Sequence, residues 1–174
     1  MMKIIAVYGV NDSGKSASVK RFVDEVATQN KFTIIRNERF GMGNDILCIA
    51  DYKNNNKNVR VGIVSQGDKE EVLNKAFSRF SSCDIVICAC RTKGGSEKFL
   101  EEKVKANDDY VLWIGKSRIS LWKGNQTKNG VKILQDSAEE FIAKMIYSAF
   151  LLLHFQQEHQ KPLMQSKYEH LSLN

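Results

Sequence analysis

Near the start of the chain, Gly9-Val10-Asn11-Asp12-Ser13-Gly14-Lys15-Ser16 combines the residue types needed to hold a phosphate group. Gly9 and Gly14 let the backbone turn tightly and approach an anion closely. Successive N–H groups of such a turn can point inward, and a following helix N-terminus adds positive potential. Lys15 supplies a mobile charge of the kind that reaches β- and γ-phosphates. Ser16 supplies a hydroxyl suited to Mg2+, and Ala17 adds one more N–H at the helix start.

This segment matches G-x-x-x-x-G-K-[ST] in full, after an apolar strand-like run and before a helix-like one. It resembles the Walker A loop of the P-loop NTPase superfamily. The resemblance implies a three-layer α/β sandwich with a mainly parallel central sheet, the loop after the first strand, and Mg-ATP or Mg-GTP as ligand. It does not imply one activity, because kinases, switches and motors share the loop.

The resemblance also implies an Asp that acts on Mg2+ from the end of a second buried strand. Asp51 is one candidate, after Ile46-Leu47-Cys48-Ile49-Ala50, although its strand can be the outer arm of a hairpin. Asp68 is the other. It follows Val61-Gly62-Ile63-Val64 in Ser65-Gln66-Gly67-Asp68, which resembles the D-x-x-G of GTPases with Ser65 where the first Asp stands. There Ser65 would hold a magnesium-bound water and Gln66 would orient an attacking one. Asp68 equally suits a helix N-cap. A guanine-reading N-K-x-D is missing, since Gly115-Lys116-Ser117-Arg118 follows the late strand. ATP is therefore expected over GTP.

Arg91-Thr92-Lys93-Gly94-Gly95 follows a strand expected to neighbour the first one. Ligands of such sheets lie beyond the strands' carboxyl ends, which puts Arg91 or Lys93 in reach of phosphates. Arg91 there would neutralise charge developing in phosphoryl transfer. Arg36-Asn37-Glu38-Arg39 follows the second strand. By resemblance to nucleoside and nucleotide kinases, Glu38 would accept a proton from an acceptor hydroxyl, and Arg36 or Arg39 would hold an anionic acceptor. Lys116, Arg118, Lys123, Lys128 and Lys132, with Trp122 among them, suit either a lid over the nucleotide or binding of single-stranded nucleic acid. For each cluster a solvated charged loop is the plainer alternative.

Strand and helix patterns alternate around these residues, which favours a parallel sheet with helices on both faces. Strands are expected at 3–8, 32–35, 46–50, 59–64, 84–89 and 110–114, with a loop over Arg36–Asn44 and an antiparallel hairpin around Asn54-Asn55-Asn56. A first helix runs from about Lys15 to Thr28, with Val19, Phe22, Val23 and Val26 on one face. Capping boxes at Asp68-Lys69-Glu70-Glu71 and Ser137-Ala138-Glu139-Glu140 mark two later helix starts, and a further helix spans Ser96 to about Ala106. In the last helix, Ala149-Phe150-Leu151-Leu152-Leu153 is apolar all round, which suggests a homodimer contact or a helix wedged between sheet and tail. Pro162 marks a polar tail, giving one nucleotide-binding domain over 1–160 and a tail over 161–174.

The 174 residues suffice for one real core, and 43% hydrophobic with 26% charged content is globular. A net charge of +6 permits an anionic partner without naming one. No apolar run reaches membrane-span length, and Lys3–Tyr8 lacks a cleavage site, so a cytoplasmic protein is expected. Cys48, Cys83, Cys88 and Cys90 show no CxxC spacing and read as buried reduced thiols. The functional expectation is Mg-dependent binding of a nucleoside triphosphate with phosphoryl transfer to water or a small acceptor, as an ATPase or small-molecule kinase. The alternatives are a regulatory switch, or a nucleic-acid-associated ATP-binding module with little turnover.

Overall fold

The computed structural model describes residues 2–41, 43–54, 57–107, 110–116 and 128–169. Its elements run β1 (Lys3–Gly9), α1 (Lys15–Ala27), β2 (Phe32–Arg39), β3 (Ile46–Asn54), β4 (Lys57–Val64), α2 (Glu70–Arg79), β5 (Ile85–Arg91), α3 (Gly95–Asn107), β6 (Tyr110–Gly115) and α4 (Lys128–Glu169). The strands form one mixed sheet in the order β2-β3-β4-β5-β1-β6. β4, β5, β1 and β6 are parallel neighbours, while β2 and β3 attach as an antiparallel edge. The expected hairpin is thus β3–β4, and β5 does neighbour β1.

Alternation along the strands builds two cores, because successive side chains leave a strand on opposite faces. Ile5, Val7, Ile85 and Ile87 meet Val19, Phe22, Val23 and Val26 of α1 and Ile142, Ile146 and Phe150 of α4. Ile4, Ala6, Val86 and Cys88 belong to a second cluster with Leu73, Ala76 and Phe77 of α2 and Leu100 of α3. Fully burying each large side chain contributes about 1.5–3 kcal/mol. Phe32, Tyr52 and Phe150 stack at centroid distances of 4.8–5.5 Å and tie the β2–β3 edge to α4.

Three local expectations are corrected. Arg36–Arg39 are strand, not loop, because β2 continues against β3 through Arg36↔Ile49 to Arg39↔Ile46. Its polar residues are tolerated there since β2 is an edge strand. Helix α4 begins at Lys128, so Ser137 lies inside the helix and is not its N-cap. Helix α2 has Lys69 as N-cap with no side-chain cap, which leaves the Asp68 carboxylate for other partners. Helical backbone continues through Pro162 to Glu169.

All four cysteines are free and buried. Burial pushes the Cys48 thiol up to about 12 and those of Cys83 and Cys90 to about 11. In the last helix, Ala149, Phe150 and Leu153 are buried, whereas Leu152 is exposed along with Leu134, Phe141 and Met145. No helix among the described residues is long and apolar enough to cross a membrane.

Candidate functional site

Register places four strand ends at one edge of the sheet. Gly9 pairs with Arg91, Tyr8 with Gly115, and Val64 with Cys88. The turn 10–14 leaves β1 at this edge and enters α1. Asp12 and Gly14 have φ of 56° and 83°, in the left-handed region. Gly14 is the N-cap of α1 and has no side chain to cap it, so the orphan donors of the first turn receive nothing from the N-cap residue. Among the described residues, the buried Ser13 Oγ has no hydrogen-bond partner. Ser16 and Ala17 are half-buried in that first turn. An uncapped helix start fed by a glycine turn is an arrangement that accepts an anion.

Three side chains from three elements converge beside this turn. Lys15 is only 5% exposed, and its Nζ donates to the Val10 carbonyl at 2.8 Å. Asp68 Oδ1 lies 3.9 Å from Lys15 Nζ and 3.3 Å from Arg91 Nε. The Arg91 guanidinium reaches Asp68 Oδ2 at 3.5 Å and Asn11 Oδ1 at 3.4 Å through Nη2. The Nε contact is an ion pair without hydrogen-bond geometry, so the fork is loosely held. Burial lowers the Lys15 ammonium below the usual lysine value, opposed by Asp68 and reinforced by Arg91.

Gly67 explains how Asp68 arrives there. A Cβ at Gly67 would sit 1.5 Å from the Ala89 carbonyl oxygen, so only glycine lets this segment cross the end of β5. The chain then delivers Asp68 in front of β1.

The other side of the turn is lined by residues the sequence reading did not assign to it together. Lys116 directly follows β6, and its backbone N–H donates to the Tyr8 carbonyl at 2.8 Å. Its Nζ donates to Ser18 Oγ at 2.6 Å and to the Gly14 carbonyl at 3.2 Å. Burial lowers the Lys116 ammonium, with Glu139 raising it and Lys15 lowering it further. Asp12, Ser13, Gly14, Lys116, Gln135 and Glu139 enclose a cavity of about 250 Å³. Only the basic character of 116–132 hinted at Lys116, and nothing local hinted at Gln135 or Glu139. Residues 117–127, with Arg118, Trp122 and Lys123, lie outside the described set, as do the side-chain surroundings of Lys128 and Lys132.

Other candidates stand elsewhere. Asp51 pairs with Arg60 at 2.8 and 3.1 Å and is aligned with Asp84, just before β5. That is the amino-terminal edge, roughly 20 Å along the strands from the 10–14 turn. Asp51 therefore stands apart from the 10–14 turn, because antiparallel β3 runs toward the opposite edge. Glu38 lies at the correct edge but on β2, four strand positions from β1 and so about 19 Å away. It binds Arg36 at 2.7 Å and also Arg79, so it does not join Lys15 and Arg91. Ser65 is committed as well: its hydroxyl donates to Asp45 at 2.8 Å and accepts from Ile46 N–H at 2.9 Å. Lys93 is exposed in the turn after β5.

Comparison with protein-family models, with curated proteins and with solved structures finds no match.

Proposed function

We propose that this chain binds a Mg-nucleoside triphosphate at the 9–16 turn, as a P-loop-type three-layer sandwich with α1 and α4 on one sheet face and α2 and α3 on the other. The observation that carries the reading is the convergence of Lys15, Asp68 and Arg91 beside an uncapped helix N-terminus. The chemistry of these donors fits the ligand. Lys15 now donates to its own loop carbonyl, a contact a phosphate oxygen can replace. The N–H groups at Ser16 and Ala17 would take the same anion. Ser16 and Asp68 are the residues that would support Mg2+.

Bound nucleotide and Mg2+ would supply an activated phosphoryl group for transfer to water or a small acceptor. The chain would contribute charge. Arg91, loosely held by Asp68, is placed to follow negative charge as it grows. The cavity flanked by Lys116, Gln135 and Glu139 lies on the β6 side of the turn, away from Arg91, and has room for the nucleoside end. ATP is favoured over GTP on the missing guanine signature.

A regulatory switch is the second reading, favoured by one observation. The β2–β3 turn reaches the site through Asp45–Ser65 and through Gly41 packed on Gln66, two residues before Asp68. Titration of ATP and GTP with and without Mg2+, then phosphate release with and without a metabolite panel, tests the proposal. Absence of saturable binding by either nucleotide overturns it. Binding without release favours the switch.

A further inference from the structure

A second basic cavity lies at the same sheet edge, separated from the 9–16 turn by the intervening strands. Its walls follow from two periodicities. Arg36 and Glu38 of β2, and Phe40 just past its end, recur at alternate positions beyond a bulge between Ile34 and Arg36. On α2, Val72, Lys75 and Arg79 recur at i, i+3 and i+7, one helical stripe. These two faces, with Arg39 and Gly41, border an open cavity of about 430 Å³. That is within the ordinary range for small-molecule sites, and its floor includes the buried Phe40.

The charge balance is one-sided. Arg36, Lys75 and Arg79 line the cavity with Glu38, the one carboxylate among the described lining residues. Glu38 is gripped from both sides: Arg36 Nε and Nη2 meet its Oε2 at 2.8 and 2.7 Å, and Arg79 meets its Oε1. Arg79 also lies 5.4 Å over the Phe40 ring. Two guanidiniums around one carboxylate form the fork that recognises a doubly charged oxyanion. Lys75 and the second guanidinium leave positive charge beyond what Glu38 neutralises.

We infer that this cavity is a binding site for a small phosphorylated molecule, in which a phosphate or diphosphate displaces Glu38 from Arg36 and Arg79. Glu38 is the built-in competitor for that site. The site is not the reacting centre, since about 19 Å separates β2 from β1. It is instead an anchor or effector site, and it stands independently of what the 9–16 turn binds. Its closeness to the nucleotide side is through Gly41, whose backbone packs on Gln66 ahead of Asp68.

The test is a titration of the full chain with inorganic pyrophosphate, followed by backbone amide shifts. Residues 36–41 and 72–79 report this cavity, and residues 9–17 report the turn, so the two sites are read separately. The expected result is saturable shifts in the first set. Arg36→Gln and Arg79→Gln should each weaken that binding about tenfold or more. Glu38→Gln should tighten it several-fold, because the competitor is gone. Lys98→Gln and Glu102→Gln, exposed on α3, should change it by less than about twofold. Shifts confined to 9–17, or Glu38→Gln binding no tighter than the parent, would overturn the inference. So would a loss with Lys98→Gln equal to that with Arg79→Gln, which would mean net charge alone is being read.

Discussion

Lys116 Nζ lies 2.6 Å from Ser18 Oγ, so the end of β6 holds the first turn of α1 in place. The same ammonium reaches the Gly14 carbonyl, at the left-handed residue that starts the helix. Lys116→Met keeps the buried stem and removes both bonds. The expected result is a native circular dichroism spectrum with Mg-ATP affinity lowered about tenfold, the scale of a lost charged hydrogen bond. Ser18→Ala and Lys116→Met combined should cost less than the sum of the two, since they share one contact. Strict additivity would separate Lys116 from the turn.

Arg91 should serve turnover more than affinity. Arg91→Ala is expected to lower kcat by on the order of a hundredfold or more with little change in nucleotide affinity. Arg91→Lys should recover only part, because an ammonium lacks the planar fork. Steady-state phosphate release checks this, and turnover within about twofold of wild type for Arg91→Ala would make it a solvated turn residue.

The two Asp candidates should separate cleanly. Asp68→Asn is expected to weaken the dependence of nucleotide binding on Mg2+, because Asp68 stands between Lys15 and Arg91. Asp51→Asn should leave nucleotide binding unchanged and lower thermal stability through its lost bond to Arg60. The Arg60 hydrogen bond holds the Asp51 carboxyl below its ordinary value of 3.8. Its folded pKa is lowered, so its contribution is present above that value and lost as pH falls through the folded one. Thermal melts of wild type and Asp51→Asn should therefore converge in acid.

Alkaline stability has the opposite sign. The unfolded thiols ionise near 9, while folded Cys48 holds its proton to about 12 and Cys83 and Cys90 to about 11. Between those values the folded state binds more protons, so stability falls as pH rises. Buried Lys3, Lys15 and Lys116 work against this, since lowered lysine values add stability as pH rises toward 10.5. The four thiols are expected to dominate, with the melting midpoint dropping by several degrees from pH 9 to 11. A thiol reagent at neutral pH should modify none of the four cysteines before unfolding.

The sheet was legible where burial wrote a continuous apolar run, as in Ile85–Cys90, or a helical stripe, as in Val19–Val26. The exposed half of β2 was not, because an edge strand paired on one side can carry Arg36, Asn37, Glu38 and Arg39. The start of α4 was missed because Ser137-Ala138-Glu139-Glu140 carries a capping pattern without being a helix end. The local turn of the candidate site was readable from spacing alone. Asp68 and Asp51 could not be told apart by pattern, since both follow apolar runs; only strand direction shows that β4 ends at the edge of the 10–14 turn while β3 ends at the other. Lys116 and Glu139 come from distant segments that only the packing of β6 and α4 brings together.

The most direct test of the central claim is a calorimetric titration of Mg-ATP into wild type and Lys15→Met. Methionine suits a lysine whose stem is buried, so the fold should persist and its spectrum should match wild type. The account predicts saturable binding by wild type and loss of most affinity in Lys15→Met. Equal affinity in the two proteins, with the native spectrum retained, would contradict it.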